Sequence, residues 1–318
     1  MRVLRSLAEL RGRLPAPVVT IGNFDGVHRG HQQILKAVAQ AARRCKGIAV
    51  AITFDPHPAK LLTPQMAPLL LLTLEQKLAL LEAAGVDLAL VLPFTREFSR
   101  LSARDFVEQI LRRALAAQVV CVGHGFRFGH GQAGDVKLLK TLAREFGLTL
   151  RIIPPVIYRG QTASSSLIRR LIVQGEVAQA ARLLARPYAL TGEIRVGSGR
   201  GRTLDFHTLN IVPEQECLPA RGVYVTESVL GGRAYPSATN VGVRPTFDGG
   251  PLVVESHLLD FSQTVTAGRL EVPFHQRLRD EMKFPSPDAL RAQIQRDVER
   301  TRRYFARRRP AHQRVIQK

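Results

Sequence analysis

The sequence predicts a doubly wound α/β domain with a parallel sheet, followed by a smaller antiparallel β-barrel with a terminal helix. From residue 18 to about residue 155, apolar β-branched runs alternate with amphipathic helical patterns, which is typical of βαβ units. From Pro187 to about Ser286, short β runs replace the long helical patterns. The 318 residues exceed the ~250–300 that one hydrophobic core usually serves. We therefore predict domains over residues 1–185 and 186–306 and a basic tail over residues 307–318.

The composition favours a cytoplasmic protein without a membrane span. Hydrophobic residues make up 45% of the chain, but no run approaches the ~18 apolar residues that a span needs. Glu9 and Arg11 interrupt the segment in which a signal peptide would carry its apolar core. Cys45, Cys121 and Cys217 lie far apart, which argues against a disulfide framework and against a zinc knuckle.

The net charge of +20 makes nucleic acid a class of partner to consider. The excess is mostly arginine and is spread along the chain, so a need to hold anionic nucleotides accounts for it as well. The best local basic run, at residues 307–309, is typical of a solvated terminus. We therefore expect small anionic ligands, and not nucleic acid, as the main partners; the sequence sets no oligomeric state.

The N-terminal half contains predicted strands at residues 18–22, 48–54, 88–92, 119–123 and 148–154. Amphipathic stretches between them predict helices at residues 32–44, 74–84, 102–116 and 135–146. Thr73 and Ser102 stand before two of these helices and are expected to cap them. Sheets of this kind bind ligands where the strand order reverses, so we expect the turn after the first strand to lie there.

Residues 22–31 join the first predicted strand to the first helix through a polar, glycine-rich turn. Backbone N–H groups at a helix start are unpaired, and the helix dipole adds positive charge, so such a turn suits phosphate. His28 and His31 stand three positions apart with Gly30 between them, a spacing at which two donors can face one phosphate. The same spacing occurs in metal sites, but no third ligand lies nearby in the sequence.

A second phosphate-binding pattern lies at residues 163–170, where serines precede an arginine at a predicted helix start. Ser164 and Ser165 at the N-cap, with Arg169 one turn later, would cradle a triphosphate; an ordinary cap with a surface arginine is the alternative. His57 lies between two prolines and either shapes the site or belongs to a stiff loop.

The C-terminal half contains short β runs at residues 188–196, 222–230, 233–243, 252–261 and 270–273. Gly231-Gly232 separates two of these runs and predicts a hairpin turn. A final helix is predicted over about residues 288–305, with one face formed by Leu290, Ile294, Val298 and Thr301. Short antiparallel strands with one helix predict a small barrel.

Two oxygen-bearing residues and one basic segment of this half are candidates for nucleotide binding. Residues 197–203, which include Gly201 and Arg202, would either cover phosphates or stay as an exposed loop. Thr208 and Asn210 alternate on a predicted strand, and oxygen ligands of this type suit Mg²⁺ on a nucleotide.

Glu255 places a carboxylate inside an apolar strand. A carboxylate in such a place is costly unless it is paired or used. It either acts as a general base on a hydroxyl or forms a structural salt bridge, for which Arg244 is the candidate partner.

The ordered set of these motifs resembles the bacterial bifunctional riboflavin kinase/FAD synthetase family over nearly the whole chain. The N-terminal marks resemble the FMN adenylyltransferase module, a relative of the HxGH nucleotidyltransferases, and lie at residues 22–31, 53–58, 123–129 and 164–169. The C-terminal marks resemble the riboflavin kinase barrel and lie at residues 200–202, 208–210, 222–224, 240–247, 255–261 and 279–284.

The resemblance implies two ATP-dependent steps. In the C-terminal module the γ-phosphate of ATP passes to riboflavin and gives FMN, with Glu255 as the base and with Thr208 and Asn210 holding Mg-ATP. In the N-terminal module AMP from a second ATP passes to FMN and gives FAD and pyrophosphate, with His28 and His31 stabilising the charge on the α-phosphate. The other residues that the resemblance implies at the nucleotide sites are Gly22, Asn23, Phe24, Asp25, Gly30, Ser164, Ser165, Arg169, Gly201 and Arg202.

Departures from the family pattern lie in both halves. The kinase motif usually reads Gly-Phe-Pro-Thr-Ala-Asn, whereas residues 205–210 read Asp-Phe-His-Thr-Leu-Asn. Asp205 brings negative charge near the ATP phosphates, His207 removes a fixed φ angle, and Leu209 replaces a small residue. Gly125 stands where a polar residue is expected to reach the flavin. The alternatives are therefore an FAD synthetase whose barrel only binds flavin, and a non-catalytic paralogue that binds flavin or nucleic acid.

Overall fold

The computed structural model of the chain describes residues 1–195, 208–243 and 252–308. The chain divides into two compact units, Met1–Ser165 and Ser166–Lys318. The first unit carries a parallel sheet and the second a closed antiparallel barrel, so the predicted fold class is confirmed. The predicted domain limits, 1–185 and 186–306, stay a prediction.

The sheet of the first unit contains, in chain order, β1 (Arg2–Leu4), β2 (Val18–Ile21), β3 (Ala49–Asp55), β4 (Leu88–Pro93), β5 (Val119–Gly123) and β6 (Thr149–Ile153). All neighbouring strands are parallel, and their order across the sheet is β1-β4-β3-β2-β5-β6. The predicted strands are all present. Edge strand β1 was not predicted, because a strand of 3 residues is too short to show a periodicity.

Strand β2 lies at the point where the strand order reverses. Its neighbours are β3 on one side and β5 on the other, and the chain reaches β5 only after it has run outward through β3 and β4. The carboxyl end of β2 therefore opens onto the crevice in which sheets of this kind bind ligands. The turn at residues 22–31 begins at this end, as predicted.

The helices of the first unit are α1 (Arg29–Arg44), α2 (Pro58–Leu62), α3 (Leu74–Ala83), α4 (Arg96–Ser99), α5 (Ala103–Asp105) and α6 (Val136–Glu145); a π-helical segment, Phe106–Ala114, continues α5. Neighbouring residues of β2 belong to different cores, as the alternation of a strand requires. Val18 shares a core with Val38 of α1, whereas Val19 shares a core with Val107 of the π-helical segment and Leu139 of α6. Helices therefore cover both faces of the sheet.

Both predicted helix caps are present. The Thr73 hydroxyl accepts a hydrogen bond from the Gln76 N–H over 3.2 Å, and the Gln76 side chain accepts one from the Thr73 N–H over 3.1 Å. This reciprocal pair is a capping box at the start of α3. The Ser102 hydroxyl accepts from the Asp105 N–H over 3.0 Å at the start of α5.

A short hairpin of β7 (Ile157–Tyr158) and β8 (Gln161–Thr162) precedes α7 (Ser165–Val173) and α8 (Val177–Leu184). The barrel follows with β9 (Tyr188–Arg195), β10 (Thr208–Pro213), β11 (Gly222–Leu230), β12 (Arg233–Val243), β13 (Leu252–Leu258) and β14 (Arg269–Arg279), and α9 (Pro287–Arg308) comes last. The barrel closes in the order β10-β13-β12-β11-β14-β9.

The predicted hairpin turn joins β11 to β12. Leu230 pairs with Arg233, which leaves Gly231 and Gly232 as the two turn residues. Their φ angles are 57° and 81°, the left-handed pair that a type I′ turn requires and that glycine adopts without strain.

Part of the barrel interior is polar. The hydroxyls of Thr226, Thr239, Ser256 and Ser228 form a chain of hydrogen bonds with oxygen–oxygen distances of 2.6, 2.8 and 2.7 Å. All four residues are fully buried. Because each hydroxyl has a partner, their burial carries no unsatisfied polar group.

The inward face of α9 differs in one position from the face that its sequence predicts. Thr301 is buried, and Leu290 and Ile294 are half-buried, as expected for that face. The buried residue one turn before Thr301 is, however, Asp297, whereas Val298 is only half-buried. The charged Asp297 is tolerated there because Arg279 of β14 pairs with it.

Candidate active sites

The start of α1 is capped by a histidine side chain. Nδ1 of His28 accepts hydrogen bonds from the N–H groups of Gly30 and His31, over 3.2 and 3.4 Å. The expectation that these N–H groups are unpaired and face a phosphate is therefore corrected: the extended backbone of His28 turns its ring back over the first turn. Since Nδ1 accepts, the proton of the neutral ring sits on Nε2, on the far side of the imidazole.

The structure brings His28 and His31 together. Their rings are stacked, with centroids 3.8 Å apart and planes inclined by 21°. The edge of Phe24 packs against the His31 ring, with centroids 5.3 Å apart. Burial holds the pKa of His31 well below its usual value, and electrostatic interactions with His28 and Lys77 lower it further. His31 is therefore neutral at physiological pH and offers one N–H.

Gly30 is required by the histidine that precedes it. A Cβ at this position would lie 3.0 Å from Cε1 and 3.1 Å from Nδ1 of the His28 ring. Any larger residue would push the capping ring off the helix start. Gly22 is similarly constrained, because a Cβ there would lie 3.2 Å from the Phe24 ring. The absence of a side chain at these two glycines leaves room for the rings of His28 and Phe24.

The turn between them is held by Asp25. This buried carboxylate accepts from the N–H of Leu71 with both oxygens, over 3.0 and 3.2 Å. The backbone oxygen of Asp25 accepts from the Ser165 hydroxyl over 2.8 Å. Asp25 and Ser165 thus fasten the turn to neighbouring segments. Phe24 and Val27 in this turn have φ angles of 48° and 38°, which such bulky residues adopt only under strain.

Asn23 and His57 meet across the ends of β2 and β3. Nδ2 of Asn23 lies 3.1 Å from Nε2 of His57, while Nδ1 of His57 accepts from the Ala59 N–H over 3.2 Å at the start of α2. Because Nδ1 accepts, Nε2 of the neutral ring carries the proton, and we assign the Asn23 amide turned by 180° so that its oxygen accepts that proton. His57 therefore contacts a residue of the candidate site and also caps α2.

A buried lysine that the sequence reasoning missed lies beside this group. Thr53 donates from its hydroxyl to the backbone oxygen of Asn23 over 3.3 Å, and Nζ of Lys77 donates to the same hydroxyl over 3.4 Å. Lys77 is on α3 and is only 9% exposed. The signal in the sequence was its position four residues before Leu81, which places a charge on the buried stripe of a helix.

The boundary between the two units falls within the second phosphate-binding pattern, at residues 163–170. Ser164 and Ser165 belong to the first unit and are half-buried. Arg169 lies further along α7, in the part of the chain that belongs to the second unit.

The barrel carries a cavity of about 420 Å³ beside α9. Its polar wall includes Thr208, Asn240, Glu255 and His257. The hydroxyl of Thr208 donates to Oε1 of Glu255 over 2.6 Å. Glu255 is half-buried and lines this cavity, so a ligand in the cavity could reach its carboxylate.

Asn210 and Asn240 flank Glu255 on the neighbouring strands. Glu255 of β13 pairs with Asn210 of β10 on one side and with Asn240 of β12 on the other. Directly paired residues project from the same face of a sheet, so the three polar side chains form one row across three strands. Leu209 alternates with its neighbours and is buried, 8% exposed, on the opposite face.

The other walls of the cavity are an ion pair and an apolar surface. Nε of Arg279 donates to Oδ2 of Asp297 over 2.9 Å, and Gln293 donates to Oδ1 over 3.1 Å. The guanidinium of Arg279 also lies 5.8 Å from the centroid of the Phe284 ring. The apolar lining is formed by Met282, Phe284, Leu290 and Ile294. The pairing of Arg279 with Asp297 was not predicted.

Several predicted residues lie outside the described part of the chain. They are Gly201, Arg202, Asp205, His207 and Arg244. Within residues 1–195, 208–243 and 252–308, no group of three or more His, Cys, Asp or Glu side chains is arranged to hold a metal ion. In the same ranges, no helix is long and apolar enough to cross a bilayer.

Comparisons with known proteins match both halves of the chain. The FAD synthetase family model matches residues 12–167, and the riboflavin kinase family model matches residues 184–305. A bifunctional riboflavin kinase/FMN adenylyltransferase of Escherichia coli is 35% identical over 92% of this chain and 94% of its own length. The protein with the same description from Pseudomonas fluorescens is 37% identical over 94% of this chain and 96% of its own length.

A solved structure is similar over most of the chain. It is described as a macrolide-efflux protein from Streptococcus pneumoniae, and it superposes with a TM-score of 0.85 at 30% identity over 94% of this chain and 98% of its own length. With both family models in order along one chain and relatives that match nearly all of it, the chain belongs to the family of bifunctional riboflavin kinases/FMN adenylyltransferases.

Proposed function

We propose that this chain makes FAD from riboflavin in two ATP-dependent steps. The barrel unit phosphorylates riboflavin to FMN, and the parallel-sheet unit adenylylates FMN to FAD with release of pyrophosphate. The observation that carries this conclusion is the match to bifunctional relatives over 92% and 94% of the chain. Both steps consume ATP, which supports the prediction of a cytoplasmic enzyme.

In the kinase step, Glu255 takes the proton of the ribityl 5′-hydroxyl. As that oxygen bonds to the γ-phosphorus, the bond from the γ-phosphorus to the β,γ-bridging oxygen breaks and ADP leaves. The hydrogen bond from Thr208 orients the carboxylate through Oε1. Oε2 receives no hydrogen bond from the residues that the structure describes, so we assign the transferred proton to Oε2.

Thr208 and Asn210 are proposed to hold Mg-ATP. Together with Glu255 they offer hydroxyl, amide and carboxylate oxygens, the donor types that Mg²⁺ prefers, and Mg²⁺ on nucleotides needs few protein ligands. The hydroxyl of Thr208 donates to Glu255 and keeps its lone pairs for a cation. Bound Mg²⁺ supplies charge neutralisation at the phosphates.

In the adenylylation step, an oxygen of the FMN phosphate attacks the α-phosphorus of ATP. The bond from the α-phosphorus to the α,β-bridging oxygen breaks and pyrophosphate leaves. This reaction requires phosphates held in line and hydrogen-bond donors at the α-phosphate. His28 is suited to donate from Nε2, because its Nδ1 is fixed as an acceptor. Gly22, Asn23, Phe24, Asp25 and Gly30 shape this site, and Ser164, Ser165 and Arg169 are proposed phosphate-binding residues.

One assay tests both steps. The protein is incubated with Mg-ATP and either riboflavin or FMN, and the flavins are separated by chromatography. We expect FMN and FAD from riboflavin, and FAD from FMN. If no FMN forms from riboflavin while FMN still gives FAD, the kinase assignment is wrong; if neither substrate reacts, both are wrong.

The structure weakens one argument for a barrel without kinase activity. Leu209, one of the departures from the family motif, is buried on the face away from Glu255, so its size does not narrow the cavity. Thr208 keeps its hydrogen bond to Glu255. The departures at Asp205 and His207 lie outside the described residues. We therefore propose that the barrel has riboflavin kinase activity, and the formation of FMN from riboflavin tests this.

A further inference from the structure

Lys77 carries a buried charge with very little compensation. The residue is 9% exposed, and within the described part of the chain Nζ makes one hydrogen bond, to the Thr53 hydroxyl over 3.4 Å, and no ion pair. A buried ammonium with one neutral partner is costly unless a ligand supplies an anion. Burial is the main cause that lowers the pKa of Lys77, and the more distant charges of Asp25 and Asp55 only partly offset it.

The ammonium lies at the end of the sheet that holds the histidine pair. Thr53, its hydrogen-bond partner, is on β3 and donates to the backbone oxygen of Asn23, the second residue after β2. The charge of Lys77 acts on His31, whose pKa it lowers. Nδ1 of His31 is buried and has no hydrogen-bond partner among the described residues. Nζ of Lys77 and Nδ1 of His31 are therefore two buried nitrogen atoms near the histidine pair that have one weak hydrogen bond and none, respectively, among the described residues.

We propose that Lys77 is a phosphate-binding residue of the adenylyl-transfer site, where its ammonium contacts an oxygen of the β- or γ-phosphate of ATP, the part that leaves as pyrophosphate. This inference rests on the proposed FMN adenylyltransferase activity. Lys77 would then act on the phosphates of ATP together with His28 and His31. The charges of Asp25 and Asp55 offset the burial of this ammonium only in part, and the oxygens of Asp25 accept from the N–H of Leu71.

The alternative is a lysine that only supports Asn23 through Thr53. The two roles differ in the ligand that they affect. A phosphate contact acts on ATP and on pyrophosphate, whereas a support for Asn23 acts on the geometry of the whole turn. The test therefore compares affinities for separate substrates and does not rely on a loss of activity alone.

The test uses Lys77→Met, which keeps the length of the side chain and removes its charge, and Lys36→Met, which removes an exposed charge from α1. FAD formation from FMN is measured against the concentrations of ATP and of FMN, and the reverse reaction against pyrophosphate. We expect Lys77→Met to raise KM for ATP and for pyrophosphate about 10- to 100-fold, the usual effect of a lost charged hydrogen bond, with KM for FMN within about threefold. Lys36→Met and the riboflavin kinase activity of both variants should match the wild type.

Unchanged ATP and pyrophosphate constants would overturn the proposal. So would equal losses toward FMN and ATP together with a lowered melting temperature, which indicate a structural lysine. Failure of the proposed function looks different: the wild type would then form no FAD from FMN. Binding of inorganic pyrophosphate, measured by calorimetry on the full chain, would then decide, and equal affinity of the wild type and Lys77→Met would overturn the phosphate contact.

Discussion

Thr208 and Glu255 meet diagonally across two strands of the barrel, and the Thr208 hydroxyl donates to Oε1 of Glu255 over 2.6 Å. Thr208 pairs directly with His257, two residues beyond Glu255, so the hydrogen bond forms between side chains that are not opposite each other. This contact ties the proposed base of the kinase step to a residue proposed to hold Mg-ATP.

Replacement of the proposed base should separate the two activities. We expect Glu255→Gln to lower kcat of riboflavin phosphorylation about 10²- to 10⁴-fold, because the amide cannot take the hydroxyl proton. FAD formation from FMN should stay at the wild-type rate. Both rates are measured by chromatography of the flavins. Glu193→Gln, an exposed carboxylate on β9, is the control and should leave both rates unchanged. Retained kinase activity in Glu255→Gln would contradict the assignment of the base.

Two substitutions of His28 should distinguish its role as the N-cap of α1 from its proposed role as a hydrogen-bond donor to the α-phosphate. His28→Ala removes both, so we expect a loss of about 0.5–2 kcal/mol in unfolding free energy together with a loss of FAD formation. Asn is a good N-cap, so His28→Asn should keep most of the stability.

His28→Asn should nevertheless lose the Nε2–H donor, and FAD formation should fall about 10²- to 10³-fold. Chemical denaturation and FAD formation from FMN are the measurements. If His28→Asn is stable and fully active, the ring serves only as a helix cap.

His275 should make the stability of the chain depend on pH. Burial and the charge of Arg308 lower the pKa of His275 from 6.5 to about 4. Between these values the unfolded chain binds a proton that the folded chain does not, so this stability is present above pH 6.5 and is lost as the pH falls toward 4. His275→Phe keeps the contacts with Tyr304 and Phe305 and removes the titration.

The difference between wild type and His275→Phe should therefore grow on acidification, to at most about 2 kcal/mol once solvent screening is allowed for. Unfolding by urea at several pH values measures it. His124→Gln, at an exposed position, is the control and should follow the wild type. Parallel curves for wild type and His275→Phe would show that His275 does not titrate in this range.

The ion pair beneath the cavity should matter more than an exposed pair on the same helix. The side chains of Arg279 and Asp297 are 15% and 3% exposed, whereas those of Arg302 and Asp260 are 56% and 73% exposed. We expect Asp297→Ala to lower the unfolding free energy by about 3–5 kcal/mol, because it leaves a buried guanidinium unpaired. Asp260→Ala should change it by no more than about 1 kcal/mol.

A double-mutant cycle completes this comparison. Arg279→Met with Asp297→Ala removes both buried charges, so the double variant should be more stable than Asp297→Ala alone. Denaturant unfolding measures all variants. Additive effects of the two single substitutions would show that the pair is not coupled.

Regular elements of this chain could be predicted because their periodicity is carried by many residues. Strands β2 to β6 and the long helices follow from alternating or helical apolar patterns, and the Gly231-Gly232 turn follows from the left-handed conformation that glycine allows. Strand β1 has too few residues for such a pattern. The direction of a single side chain is not periodic, so the capping role of the His28 ring could not be predicted from its spacing to His31.

Lys77 and Asp297 were missed for one shared reason. Each is one of several charged residues in its helix, and most of the others face solvent. Each stands four residues before a fully buried residue, Leu81 and Thr301 respectively, so it lies on the buried stripe. A charge at such a spacing is the sequence signal for a paired or ligand-binding residue.

The hydroxyl chain inside the barrel also selects one alignment of its strands. Thr226 and Ser228 come from β11, Thr239 from β12 and Ser256 from β13. These hydroxyl hydrogen bonds therefore form only when the three strands pair in the observed register. A slip by one residue would turn these hydroxyls outward and bring their neighbours in. Replacement of one hydroxyl by a methyl group would leave its partners short of a hydrogen bond. These four positions therefore have to change together, which limits the order in which the barrel can acquire an apolar interior.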